Sequence, residues 1–206
     1  MPRFPVLMEL NTVLICGGGR HAVEKLEKLR PFRPRVQVIS PDIGPEMEAR
    51  AAELPSLTLV RRAFAESDLT PPPTLVITAE SHEENARISQ LCRKHRVLVN
   101  AVDQPEDCDF FFPALFTAGE LCVSVSTGGT SPTAAIALRN RMKAEVPTHI
   151  DAILDWLTKA RETLRQETMD RTQLQSALHC AVSASFRLDR PLTDEELAAC
   201  CWALKT

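Results

Sequence analysis

The sequence predicts an α/β protein: an N-terminal parallel sheet of Rossmann type, a small strand-containing segment, and a C-terminal helical domain. Three observations carry this prediction. A short apolar run at residues 13–16 (VLIC) feeds the glycines Gly17, Gly18 and Gly19 and then a helical stripe. Short apolar runs and helical patterns go on alternating through residue 100, as a parallel sheet covered on both faces requires. Beyond Pro113 the pattern changes to a half-wet strand and then to helix, which divides the chain into 1–112, 113–147 and 148–206.

Residues 13–16 carry little polarity and read as a buried strand entering a tight turn. Ala22, Val23, Lys25, Leu26 and Leu29 fall at the spacing of one helical face, with charges between them, and Pro31 and Pro34 stop that helix. A strand at 35–40 follows, completing a strand–turn–helix–strand unit of about thirty residues, the length of a βαβ crossover. A short helix is expected over 45–54, a strand over 57–60, a rigid break at Pro71, Pro72 and Pro73, and a strand over 75–78. Ala86, Ile88, Leu91 and Cys92 mark a helix over 83–95, and a strand over 97–99 ends at Asn100. Residues 120–126 (ELCVSVS) alternate apolar and polar, the mark of a strand with one wet face, and a helix spans 133–143. After a joint at Pro147, Ile150, Ile153, Leu154, Leu157, Ala160 and Leu164 form one stripe, and Leu174, Leu178 and Val182 another. Thr193 and Glu196 are spaced as a capping box for a last helix.

Composition narrows the function classes. Hydrophobic residues make up 44% and charged residues 25%, which is ordinary for a folded domain. A net charge of -3 argues against a nucleic-acid binder held by phosphate contacts. The opening MPRFPVLMEL lacks the apolar core of a secretory signal, and no apolar run is long enough to span a membrane. Seven cysteines stand at 16, 92, 108, 122, 180, 200 and 201 with no C-x-x-C pair, so neither a disulfide framework nor a structural zinc site is expected. A reducing cytoplasm is the natural setting. Cys200 and Cys201 lie in the apolar run 197–204 and read as packing residues.

Gly17-Gly18-Gly19-Arg20-His21-Ala22 satisfies G-x-G-x-x-A between a strand and a helix. The turn is tight, a side chain would block a pyrophosphate, and Ala22 lets the helix pack close to the strand. Free N–H groups and the helix dipole attract phosphates. His21 reads as a wall of the nucleotide pocket. The second strand ends Ile39-Ser40-Pro41-Asp42. Asp42 is placed to take a ribose 2′-hydroxyl, or Pro41 and its backbone wall in the adenosine; Arg20 and Ser40 could instead tolerate a 2′-phosphate. NAD is preferred over NADP.

Two further stretches stand out. Thr127-Gly128-Gly129-Thr130-Ser131-Pro132 has glycines that can turn their N–H groups toward one spot, and Ser131-Pro132 looks like an N-cap with proline at the first helical position. That suits an anion site for a carboxylate-bearing ligand, or simply a capped helix start. Arg139, Arg141 and Lys143 beyond it read as a solvated basic face. Asp103 is either a ligand group beyond the carboxyl end of a strand or the cap of a turn before Gln104-Pro105. No His/Cys/Glu set has metal-ligand spacing, so no metal site is expected.

The glycine turn, Asn100-Ala101-Val102-Asp103, the segment from Cys108-Asp109-Phe110 to Pro113, and Ser126-Thr127-Gly128-Gly129-Thr130-Ser131-Pro132 occur together in this order. With the opening Phe4-Pro5, that combination resembles the precorrin-2 dehydrogenase / sirohydrochlorin ferrochelatase family, including the N-terminal module of siroheme synthase. The resemblance covers residues 4–147. It implies NAD-dependent oxidation of precorrin-2 to sirohydrochlorin, with Asp103 as general base, and Thr127, Gly128, Gly129, Thr130 and Ser131 at the substrate. It also implies a homodimer formed through the 113–147 segment. Some members of the family insert iron, so ferrochelatase activity is the alternative; a non-enzymatic nucleotide sensor is the alternative of another class. Two departures stand out. Ala79-Glu80 replaces the family's Thr-Asp pair beside the cofactor, and Thr127 occupies the place of a serine that some siroheme synthases phosphorylate.

Overall fold

A computed structural model describes residues 5–166 and 170–202, with Cys201 and Trp202 described through the backbone alone. Phe4 and the side chain of Cys201, both singled out above, lie outside the described residues. The chain divides between Phe112 and Pro113 into two compact units.

The N-terminal unit is built on β1 (Thr12–Gly18), α1 (Arg20–Leu29), β2 (Arg35–Ile43), α2 (Pro45–Glu53), β3 (Leu57–Val60), β4 (Leu75–Thr78), α3 (His82–Lys94) and β5 (Leu98–Ala101). Its five strands lie in the order β3-β2-β1-β4-β5, and every pairing is parallel. β1 is central because its side chains are apolar on both faces. Val13 and Ile15 point into a core shared with Ala22, Leu26, Leu29 and Met47 of α1 and α2. Leu14 and Cys16 point into the opposite core, with Ile88 and Cys92 of α3 and Leu69. A strand buried on both sides cannot alternate polar and apolar, which explains the unbroken VLIC run. Ser81 caps α3 by accepting a hydrogen bond from the Glu84 N–H at 3.3 Å, with Glu83 and Glu84 in the first turn and Arg93 and Lys94 in the last.

The element boundaries shift where pairing outruns the apolar pattern. β1 continues through Gly18 and β2 through Ile43, because Gly18 pairs with Ile43 after a register irregularity. β5 lies at 98–101 and not 97–99, since Asn100 and Ala101 pair with Ile77 and Thr78. Pro31 does not stop the first helix outright: a short helical turn, Arg30–Phe32, closes on Arg33 at φ 50°.

The C-terminal unit begins with an antiparallel hairpin, β6 (Ala114–Ala118) and β7 (Leu121–Val125), turned at Gly119 with φ +55°. The sequence pattern did not predict β6, in which only Phe116 is buried. Four helices follow: α4 (Pro132–Glu145), α5 (Ile150–Gln166), α6 (Arg171–Leu188) and α7 (Asp194–Trp202). α4 packs on the hairpin, and Ala160, Leu164, Ala177, Ala181, Leu192, Leu197 and Cys200 form the core of α5, α6 and α7. Small residues at 160, 177 and 181 allow α5 and α6 to approach closely. Asp170 caps α6 through the N–H groups of Thr172 and Gln173, both at 2.8 Å. Among the described residues no helix is long and apolar enough to cross a membrane.

The expected capping box of α7 is present. The Glu196 N–H donates to Thr193 Oγ1 at 3.3 Å, and Thr193 N–H donates to Glu196 Oε2 at 2.9 Å. Arg190 also donates to both oxygens of Glu196 and, with these bonds, holds its pKa down at about 2. A carboxylate depressed in the folded state stabilises the fold above its unfolded pKa, and that contribution is lost as pH falls toward the folded value. Glu196→Gln should therefore flatten the acid limb of the melting temperature against pH between about 4.5 and 2. An unchanged acid limb in thermal melts would show that the cap contributes nothing there.

Candidate functional site

The candidate site forms at the carboxyl ends of the central parallel strands, where the strand order reverses between β1 and β4. Gly17 has φ +118°, and a Cβ there would lie 2.7 Å from the carbonyl oxygen of Ala79. A Cβ on Gly18 would meet the Asp42 carbonyl oxygen and come within 2.7 Å of Ile43 Cα. These two glycines let the flanking strand ends close on β1, and the Gly44 N–H to Gly18 carbonyl bond at 3.0 Å seals one side. Gly19 differs. It is the N-cap residue of α1 with φ -88°, and a Cβ there would meet nothing within 4 Å. No side chain caps α1 and no acidic residue stands in its first turn. An open surface at Gly19 before an uncapped helix start suits a dinucleotide pyrophosphate.

Arg20 and His21 lean on the same partner. Arg20 Nε donates to Glu24 Oε1 at 3.0 Å and His21 Nδ1 lies 3.6 Å from Glu24 Oε2. The hydrogen bond from Arg20 is the main cause of the lowered pKa of Glu24. Ser40, buried, donates to Glu80 Oε1 at 3.0 Å, so the end of β2 is tied to the residue pair after β4. Arg20 and Ser40, the two side chains considered for a 2′-phosphate, are thus each bonded within the protein. Pro41 and Asp42 are exposed at the end of β2.

Asp103 is also exposed and takes the left-handed conformation, φ 59°. It shares a pocket of about 220 Å³ with His21, Ala79, Glu80, His82, Asn85, Val102 and Gln104. A buried amide chain fixes the walls. Asn85 Oδ1 accepts from Thr78 Oγ1 at 2.6 Å and from the Glu80 N–H at 2.9 Å. Asn85 Nδ2 donates to Gln104 Oε1 at 2.8 Å, and Gln104 Nε2 donates to the His82 carbonyl at 3.2 Å. Fully paired, this network holds the loops bearing Glu80 and Asp103 in fixed positions. Sequence reasoning missed it. The available signal was Asn85 itself, which stands with Ile88 and Cys92 on the buried face of α3, where an unpaired amide would be costly. Nothing distinguished Gln104.

Behind Asp103, Asn100 Nδ2 donates to the Phe110 carbonyl at 2.9 Å and lies 3.4 Å from Cys108 Sγ. Cys108 Sγ is 3.1 Å from the Ala101 carbonyl oxygen, and burial raises its pKa. Asn100 Oδ1 accepts from Lys25 Nζ at 3.2 Å.

In the C-terminal unit, Thr127 Oγ1 donates to the Ser131 carbonyl at 2.9 Å and accepts from the Ser131 N–H at 3.1 Å. The N–H groups of Gly128 and Thr130 bond to Ser126 Oγ and the Thr127 carbonyl, both at 3.2 Å. Three N–H groups of the loop are thereby engaged inside it. Gly128 and Gly129 have φ +65° and +91°. Ser131 is the N-cap of α4, with Pro132 at its first position. Arg139, read as solvated, is half-buried and donates to the Leu115 carbonyl of β6 at 2.9 Å. Among the described residues no group of three or more His, Cys, Asp or Glu side chains is placed to hold a metal ion.

Residues 6–114 match the family NAD_binding_7, described as "Putative NAD(P)-binding". Siroheme synthase of Nitrosomonas europaea is 31% identical over 168 residues, which is 81% of this chain and 35% of that protein. Siroheme synthase of Thioalkalivibrio sulfidiphilus is 36% identical over 149 residues, 71% of this chain and 30% of that protein. The chain thus spans about a third of these curated relatives. Among solved structures, that titled "SirC, precorrin-2 dehydrogenase" superposes with a TM-score of 0.66 at 18% identity, covering 98% of this chain and 99% of the other, a likeness of fold.

The glycines separate folding from binding. Gly18→Ala should lower stability by about 1–3 kcal/mol, because backbone must move to admit the Cβ. Gly19→Ala should fold like the parent and bind nicotinamide dinucleotide about tenfold or more weaker, since its Cβ points where phosphate approaches. Thermal melts beside fluorescence titration with NADH decide both; equal affinity in Gly19→Ala would remove the pyrophosphate from this turn.

Proposed function

We propose, from the premise that this chain belongs to the NAD_binding_7 family, that it oxidises precorrin-2 to sirohydrochlorin with NAD as acceptor. The observation that carries the reading is one pocket lined both by His21, in the first turn of the glycine-turn helix, and by Asp103. The siroheme synthases that the chain resembles support the choice of substrate.

The oxidation removes a hydride and a proton from the reduced macrocycle. A bound oxidised nicotinamide supplies the hydride acceptor. The chain's own residues do the remaining work. Gly19 and the N–H groups at the start of α1 hold the pyrophosphate, while Gly17 and Gly18 keep the strand ends closed beneath it. Pro41 and Asp42 border the adenosine ribose, with Asp42 accepting from the 2′-hydroxyl, which favours NAD over NADP. Ala79 and Glu80 form the wall on the β4 side. Asp103 Oδ takes the substrate proton and, being exposed, passes it to water. Thr127, Gly128, Gly129, Thr130 and Ser131 contact the substrate's carboxylates, with Thr130 and the two glycines exposed for that role. The free thiols at Cys16, Cys92, Cys108, Cys122, Cys180 and Cys200 support a reducing compartment, the cytoplasm.

Anaerobic incubation with precorrin-2 and NAD, followed by sirohydrochlorin absorbance, tests the reading. Asp103→Asn should lower kcat by about 10²–10⁴-fold and leave NAD affinity unchanged. Full turnover in that variant would remove Asp103 as base; no turnover by a folded, nucleotide-binding parent would remove the dehydrogenase and favour a nucleotide sensor.

The same reading includes a homodimer. An apolar groove of about 560 Å³ in the C-terminal unit is lined by Leu121, Val123, Leu138, Met142, Ile150 and Phe186, among others. Leu138 and Met142 are each 47% exposed, and a second copy of the chain would cover them. Sedimentation should report a dimer for the parent and a monomer for Leu138→Glu/Met142→Glu; a monomeric parent at micromolar concentration would count against the assembly.

A further inference from the structure

Two lysines on α1 are left electrostatically incomplete. Lys25 of α1 is half-buried, with Nζ donating to Asn100 Oδ1 of β5 at 3.2 Å. Lys28, one turn on and exposed, brings its Nζ 5.7 Å from the ring centroid of Phe112, while Lys25 Nζ is 4.9 Å from the same centroid. Among the described residues neither ammonium is in an ion pair, although twelve other Lys, Arg or His side chains are. Burial lowers the pKa of Lys25, and the charge of Lys28 lowers it further; Cys108, Asp103 and Glu24 act the other way. Two like charges are thus gathered at one aromatic ring, one of them partly desolvated, with an amide oxygen, the ring quadrupole and the carboxylates of Asp103 and Glu24, neither of them in ion-pair contact, to offset the cost.

Such an arrangement is completed by an anion. The aromatic face next to it, Phe112 edge-on to Phe110 at 5.5 Å between centroids, suits a ligand that joins carboxylates to a flat apolar ring. We propose that Lys25 and Lys28 bind a peripheral carboxylate of a tetrapyrrole, so that Asn100, which meets Lys25, couples this contact to the Asn100–Asp103 stretch. The inference rests on the dehydrogenase reading and deepens it: α1 presents phosphate-binding N–H groups at its start and carboxylate-binding ammonium groups one and two turns later. The lysines use none of the groups assigned to the nucleotide.

Titration of sirohydrochlorin into the intact protein, followed by absorbance, tests this alongside its neutral octamethyl ester. Lys25→Met/Lys28→Met should weaken the free acid by about tenfold to a hundredfold, as expected for loss of charged hydrogen bonds. Lys25→Arg/Lys28→Arg should restore most of that affinity, the ester should bind all three proteins alike, and NADH affinity should not change. A merely structural role for Lys25 would change melting temperature and the binding of acid and ester together. Equal binding of the acid by parent and double Met variant overturns the lysine site while leaving dehydrogenation by the parent intact. A loss of NADH affinity equal to that of the acid would also overturn it, assigning the lysines to the nucleotide. A parent that neither binds sirohydrochlorin nor oxidises precorrin-2 overturns both readings.

Discussion

The close approach of three strand ends is the constraint on which the N-terminal unit depends. β1 sits between β2 and β4, and its last residues pass so near Ala79 and Asp42 that no side chain fits at Gly17 or Gly18. Everything that could meet a nucleotide follows from that closure. The strand ends the sheet abruptly, α1 begins at once, and Gly19 is left as open backbone at the helix start. The three glycines therefore divide two jobs, two serving contact within the fold and one facing outward.

A second layer of order comes from polar groups buried where the sheet ends. Thr78, Asn85 and Gln104 are almost wholly inaccessible, yet each finds partners in the others or in backbone. Apolar residues of equal size would have packed there with fewer geometric demands. What the amide chain adds is direction. It sets where the chain goes after β4 and after β5, the two places from which Glu80 and Asp103 emerge.

The sheet was legible in the sequence because β1 and β4 are buried on both sides, which leaves no freedom for polar residues. The turn was legible because G-x-G-x-x-A answers to one geometry. Boundaries were not, since Asn100 pairs in β5 with a polar side chain that satisfies itself on Phe110, and periodicity cannot see such a bond. β6 escaped notice because its pattern, with only Phe116 buried, depends on a hairpin partner. Asp103 was readable as a residue just beyond the carboxyl end of a strand, and it stands there, after β5, in the pocket with His21 and Glu80. The state of Thr127–Ser131 was not: glycine-rich sequence allows N–H groups to face a ligand or each other, and hydroxyls at 126 and 127 draw two of them inward. Lys25 was hidden in plain sight, at helical spacing with Ala22, Leu26 and Leu29, where a long aliphatic stem passes for core.

The left-handed backbone at Asp103 bears on how such a protein can change over generations. Asn, Asp and Gly settle at positive φ far more readily than other residues, and of these three only Asp carries a charge. Substitutions tolerated by the turn are thus almost all ones that discard the carboxylate. On the proposed function, a lineage drifting at this position would lose the proposed base before it lost the fold, and would keep the glycine turn without the carboxylate that the proposal gives to the oxidation.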